Sequence, residues 1–148
     1  MTITKKQIID AIRDELNETG VFNRVQGSSN LTEGMNDTPT LQVYWESTDN
    51  DAATQNDRTT FRGGVRQKHF IFHCDIYARQ RSHLDEDTEA VLDLSDAVEA
   101  KLETQNSAPF FELAGIKAFK WRGERVTFEY EGGIRYAGCR YIMEVWVY

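Results

Sequence analysis

Two stretches of the chain carry apolar residues at the spacing of an amphipathic α-helix. The stripe near the start comprises Ile8, Ile9, Ile12 and Leu16. Thr4 and Gln7 have the spacing of a capping box, in which the Thr4 hydroxyl accepts from a free backbone N–H of the first turn. Gly20 suits the left-handed residue that follows many helix ends. This pattern predicts a first helix between Thr4 and Gly20.

A second apolar stripe predicts a longer helix over residues 84–104, with Ser82 as its cap. The stripe comprises Leu84, Val91, Leu94, Val98 and Leu102. The charge of this helix is one-sided, and its acidic residues are Asp85, Glu86, Asp87, Glu89, Asp93, Asp96, Glu99 and Glu103. Lys101 is the one base among them. Either this acidic side is simply solvated, or it meets basic groups of a neighbouring molecule or lines an acidic passage.

Alternation of apolar and polar residues predicts the strands. The clearest run covers residues 67–79, and its length predicts a central strand whose buried face comprises Phe70, Phe72, Cys74, Ile76 and Ala78. A shorter run over 41–46 buries Leu41, Val43 and Trp45. Two closing strands, over 125–131 and 139–148, flank Gly132 and Gly133. The last strand has one face of Tyr141, Met143, Val145 and Val147, and its other, mixed and aromatic face includes Trp146 and Tyr148.

The remaining segments are polar. Residues 23–40 are predicted to be a loop, and residues 47–66 a mobile polar arm that contains a hairpin at Gly63 and Gly64. The order is helix, strand, hairpin, helix and closing meander. It predicts a single α+β domain over 1–148, with a largely antiparallel β-sheet and both main helices packed on one face.

The composition restricts the functions that this fold can serve. The chain has 24 acidic and 17 basic residues, and a net charge of -7, which disfavours specific binding to nucleic acid but suits a surface past which DNA slides. Cys74 and Cys139 lie in apolar runs and are predicted to be buried free thiols. The chain shows neither a signal peptide nor an apolar run of about 20 residues, so we expect a cytoplasmic protein without membrane contact.

The sequence predicts no catalytic, metal or cofactor site. His69 and His73 share one face of a strand but lie about 13 Å apart, too far to hold one metal ion. Cys74 follows His73 directly, so their side chains point to opposite faces. The chain lacks a nucleophile elbow, a P-loop and a dinucleotide-binding glycine motif. An enzyme is expected only if His73, Cys74 or the carboxylates converge in the fold.

A basic segment of opposite charge to the acidic helix precedes the central strand. It contains Arg58, Arg62, Arg66 and Lys68 around Phe61. We expect this arm of one subunit to dock on the acidic helix of the next, in a head-to-tail contact. The residues predicted to lie at the subunit interface are Arg58, Phe61, Arg62, Arg66, Asp93, Asp96, Glu99, Trp146 and Tyr148.

The layout of the whole chain resembles that of the tail terminator, or tail completion, proteins of long-tailed bacteriophages. The resemblance includes the capped helix with residues 8–12, the strand 41–44, the polar arm, the strand 70–77, the acidic helix and the closing strand 141–147. It implies a structural subunit that forms a ring, expected to be a hexamer, which caps the tail tube and joins it to the head.

The resemblance also implies partners and a location. The partners are other copies of the chain, the tail tube protein and the head-tail connector protein, while DNA passes through without specific binding. The subunit is expected in the virion tail, and in the host cytoplasm during assembly, and carries no catalytic residues. The alternative is a small cytoplasmic ligand-binding or regulatory α+β domain with a pocket between sheet and helices.

Overall fold

A computed structural model describes residues 3–27, 38–50, 68–103, 116–130 and 133–147, with residues 50, 117 and 130 described by their backbone alone. The described residues form two helices and five strands. In chain order these are α1 Lys5–Asn17, β1 Arg24–Gln26, β2 Thr40–Asn50, β3 Lys68–Gln80, α2 Leu84–Glu103, β4 Ile116–Tyr130 and β5 Ile134–Val147.

The start of α1 is the predicted capping box. The Gln7 N–H donates to the Thr4 hydroxyl at 3.2 Å, and the Thr4 N–H donates to the Gln7 side chain at 2.8 Å. Gly20 follows the helix with φ at 71°, the left-handed conformation that favours glycine. The predicted stripe is buried and consists of Ile8, Ile9, Ile12 and Leu16. The first helix is therefore confirmed in its cap and its buried face.

The five strands form one sheet in the order β1-β2-β3-β5-β4. β1 and β2 are parallel, and every other neighbouring pair is antiparallel. β3 lies at the centre, as its length predicted. β5 comes last in the sequence but lies between β3 and β4, so both of its edges are hydrogen-bonded.

Both helices pack on one face of the sheet, which confirms the predicted α+β fold. Val43, Cys74 and Tyr141 lie side by side across β2, β3 and β5 and mark the buried face. The buried strand residues of this face include Leu41, Val43, Phe70, Phe72, Cys74, Ile76, Cys139, Tyr141, Met143, Val145 and Val147. They form one cluster with the apolar stripes of α1 and α2.

Two details of α2 differ from the prediction. Leu84, the first residue of the helix, is 68% exposed rather than part of the buried stripe. Asp87, predicted on the acidic surface, is buried, and its carboxylate accepts from the Ser82 N–H and lies 3.1 Å from Arg79 Nε. Ser82 is two positions before the helix, too far for the predicted cap, and its hydroxyl accepts from Arg79.

Three strand predictions also need correction. β1 lies inside the predicted loop 23–40, and β2 continues to Asn50, so the first residues of the predicted arm are paired with β3. β4 and β5 begin at Ile116 and Ile134, earlier than predicted, because cross-strand pairing runs from Ile116 opposite Val147 to Tyr130 opposite Ile134. The rest of the arm, including the hairpin at Gly63 and Gly64, lies outside the described residues.

Trp45 is 44% exposed rather than buried. It lies opposite Phe72, where Lys5 at the start of α1 covers it with Nζ 4.6 Å from the ring centre. The start of α1 therefore lies at this tryptophan. The register of β2 with β3 shifts at a bulge between Trp45 and Ser47. No helix among the described residues is long and apolar enough to cross a membrane.

Candidate functional site

Exposed carboxylates follow one another along α2 and form its acidic face. Its exposed acidic residues are Asp85, Glu86, Glu89, Asp93, Asp96 and Glu103. Lys101 does not neutralise this face, because its ammonium group lies 3.3 Å from Glu15 and 2.7 Å from Glu18 of α1. The hydrogen bond to Glu18 raises the pKa of Lys101. Leu92 is 57% exposed in the middle of this acidic face.

The predicted interface residues fall into three groups. Asp93 and Asp96 are exposed on the outward side of α2. Glu99 is half-buried, and its carboxylate accepts from the Tyr141 hydroxyl at 2.8 Å, so it fastens α2 to β5. Trp146 is half-buried and stacks on His69 with 4.3 Å between ring centres. The others lie outside the described residues and are Arg58, Phe61, Arg62, Arg66 and Tyr148.

A polar network occupies the sheet face opposite the helices. Arg140 Nε and a terminal nitrogen donate to the two oxygens of Asp75, at 2.7 and 3.2 Å. The Tyr44 hydroxyl donates to Asp75 at 2.8 Å, and His73 Nδ1 lies 3.4 Å from that hydroxyl. Asp75 is only 3% exposed. The network therefore joins β2, β3 and β5 through one buried carboxylate.

Burial and the charges of this network shift the pKa values of Tyr44, His73 and Arg140. The hydrogen bond with Asp75 raises the pKa of Arg140, and burial together with the bond to Asp75 raises the pKa of Tyr44. Burial and the nearby Arg140 charge lower the pKa of His73. At neutral pH, Tyr44 is thus protonated and His73 uncharged. Both oxygens of Asp75 already accept hydrogen bonds, so the network stabilises the pairing of the three strands.

The two cysteines are buried free thiols, as predicted. Cys74 Sγ lies 3.6 Å from Met143 Sδ in the core, on the opposite side of the sheet from His73. Burial raises the pKa of Cys74 well above its ordinary value and that of Cys139 to about 12. Because the thiolate is the nucleophilic form, both residues are unreactive at neutral pH.

His69 has an acidic environment that the sequence did not indicate. Its Nε2 lies 3.1 Å from a Glu144 oxygen and its Nδ1 3.8 Å from Asp49. The contact between Nε2 and Glu144 does not have the geometry of a hydrogen bond, so the ring and the carboxylate are close but not hydrogen-bonded. The cross-strand register of β2, β3 and β5 brings these residues together, and nothing local in the sequence does. Across the described ranges, no three metal-ligating side chains form a group.

An arginine cleft lies where α2 begins. It consists of two adjoining cavities of about 90 and 520 Å³, both lined by Arg81, Leu84 and Asp87. Arg125 of β4 lines the smaller cavity and Arg135 of β5 the larger one. The three arginines are exposed. Sequence reasoning missed this cleft because its cations are far apart along the chain. The pairing of β4 with β5 and the hydrogen bond from the Arg81 N–H to the Arg135 carbonyl bring them to one place.

No protein-family model matches the chain, and no curated protein matches it. The described fold and its surfaces are therefore the basis of the proposal that follows.

Proposed function

We propose that the chain is a structural subunit of a phage or prophage tail. In this proposal it assembles into a ring, expected to be a hexamer, which caps the tail tube and joins it to the head. The order of elements that resembles tail terminator proteins supports this proposal. The two-layer architecture, with both helices on one face of a mainly antiparallel sheet, is consistent with it.

The observation that carries the proposal is the outward acidic face of α2. Its carboxylates have no compensating base on the same helix, because Lys101 is engaged with α1. The net charge of -7 disfavours adhesion of DNA that passes through a ring, and the acidic face itself is available to a partner. The same face can attract a basic surface of another subunit, which suits a protein that acts through assembly.

The state of the reactive groups supports a role without catalysis. The buried thiols of Cys74 and Cys139 are held protonated, and His73 is held uncharged. The buried carboxylate of Asp75 is bound by Arg140 and Tyr44. These groups stabilise the sheet, and in our proposal the protein works by shape and charge.

Tube capping tests this function directly. The purified chain is added in substoichiometric amounts to polymerising tail tube protein from the phage or prophage that encodes it. We expect shorter tubes with added density at one end in negative-stain electron micrographs. An unrelated acidic protein of similar size serves as the control. Tubes of unchanged length with bare ends would contradict the proposal.

The alternative, a ligand-binding or regulatory domain, has one observation in its favour. The larger cavity of the arginine cleft, about 520 Å³, falls within the range of roughly 300–1,000 Å³ typical of small-molecule pockets. The alternative predicted a pocket between the sheet and the helices. The smaller cavity of the cleft lies between α2 and the sheet, and its volume is only about 90 Å³. A thermal-shift screen with small carboxylates and phosphates distinguishes the two functions, since a concentration-dependent rise in Tm favours the alternative.

A further inference from the structure

The arginine cleft is a positive site on an acidic protein. Arg81 lies in the connection between β3 and α2, Arg125 in β4 and Arg135 in β5. None of them forms an ion pair within 4.0 Å with a carboxylate of the described residues. Asp87 also lines the cleft. One oxygen of its carboxylate accepts from the Ser82 N–H, and the other lies 3.1 Å from Arg79 Nε in an ion pair. The cleft therefore presents three uncompensated guanidinium groups to a ligand.

The rim of the cleft is apolar. Leu84 is 68% exposed and Ile134 is 41% exposed, and both line the larger cavity. A small anion would use the arginines but leave these side chains in water. A protein segment with carboxylates around one apolar residue fits both the arginines and the apolar rim. Its carboxylates pair with the arginines, and its apolar residue buries Leu84 and Ile134.

The chain carries such a segment on the outward side of α2. We define the acidic stripe as Glu89, Leu92, Asp93 and Asp96. Residues 89, 92, 93 and 96 share one side of a helix, and the stripe is about 10 Å long at about 1.5 Å per residue. Leu92 is 57% exposed between exposed carboxylates. Its chemistry is complementary to that of the arginine cleft.

We propose that the acidic stripe of one copy docks in the arginine cleft of a second copy. The cleft lies at the start of α2 and the stripe on the outward side of the same rigid helix, so the two cannot meet within one molecule. A ring requires this contact to be heterologous, with each copy offering its stripe to one neighbour and its cleft to the other, whereas two reciprocal contacts would close a dimer. This inference rests on the proposed ring and names the contact that would build it.

Charge reversal on each surface tests the contact. One variant carries Arg81→Glu, Arg125→Glu and Arg135→Glu, and the other carries Glu89→Lys, Asp93→Lys and Asp96→Lys. Sedimentation velocity and native mass spectrometry measure the assembly. We expect each variant alone to associate at least about 100-fold more weakly than the wild type. An equimolar mixture should assemble again, because each reversed surface then meets its complement.

Rescue in the mixture separates a docking role from damage to the fold. Two variants that fail for lack of folding cannot restore each other, and circular dichroism checks each one. Leu92→Ser, which changes no charge, should weaken assembly about tenfold through the lost apolar contact. Reversal variants that assemble like the wild type would overturn the inference, and so would folded variants whose mixture stays monomeric.

A matched control uses the basic arm, through Arg58→Glu, Arg62→Glu and Arg66→Glu. If this variant alone loses assembly while the cleft variant keeps it, the cleft contact is wrong and the ring proposal stands. A wild-type chain that remains monomeric up to about 1 mM refutes the contact. The tube-capping experiment then still decides the proposed function separately.

Discussion

The buried pair of Asp75 and Arg140 makes Arg140→Met the most informative single substitution. Methionine keeps an apolar stem of similar length but removes both guanidinium hydrogen bonds, at 2.7 and 3.2 Å. Asp75 is 3% exposed and would remain in place as a buried carboxylate without its counterion. The substitution therefore tests whether this charge depends on its partner.

The expected loss follows from the burial of the two groups. Removal of one partner from a buried ion pair costs about 3–5 kcal/mol, because the other charge stays desolvated. The Arg140 side chain is 27% exposed, so water screens part of the interaction, and Tyr44 still donates to Asp75. We therefore expect the lower end, a decrease of about 3 kcal/mol in the free energy of unfolding.

Urea unfolding followed by tryptophan fluorescence measures this decrease, with linear extrapolation to water. Lys101→Met is the matched control, since it removes a partly exposed lysine paired with the exposed Glu18 and the half-buried Glu15, and it should cost about 1 kcal/mol. The double variant with Asp75→Asn should recover most of the loss, because no charge remains buried. A loss below about 1 kcal/mol in Arg140→Met, or no recovery in the double variant, would refute the reasoning.

Three further substitutions test the sheet and its two faces. Burial lowers the pKa of His73 below 6.5, so the unfolded chain binds protons more readily and the free energy of unfolding falls as pH drops through 6.5. In His73→Gln, urea titrations should show a smaller fall between about pH 7 and pH 5. Tyr141→Phe removes the hydroxyl that fastens α2 and should cost about 1–2 kcal/mol in the same assay. Gly138→Ala places a Cβ against the Ile76 carbonyl and should lower Tm more than Gly133→Ala, where φ is +77° but the space is open; equal Tm values would contradict this.

Local patterns in the sequence were sufficient to predict the two helices and the central strand. The capping box at Thr4 and the alternation around Cys74 depend on neighbouring residues, so they can be recognised without the fold. β1 could not be predicted, because three residues with only Val25 as an apolar member carry no periodic signal. Its strand conformation depends on parallel pairing with β2.

The buried polar contacts could not be predicted for a related reason. Asp87 appeared to belong to a solvated acidic helix, and only the position of Arg79 at the end of β3 explains its burial. Asp75 and Arg140 are 65 positions apart, and the register of β3 with β5 makes them neighbours. The arginine cleft depends on the same long-range pairing, so residue type and spacing did not reveal it.

Because β5 lies between β3 and β4, the sheet cannot be completed until this last strand has been synthesised. Phe72 and Met143 are paired across β3 and β5, although nearly half of the chain separates them. Before β5 has been synthesised, one edge of β3 is open, and the core residues of β3 lack the neighbouring apolar side chains of β5. We expect the nascent chain to complete its sheet slowly and late, and fragments without β5 to aggregate.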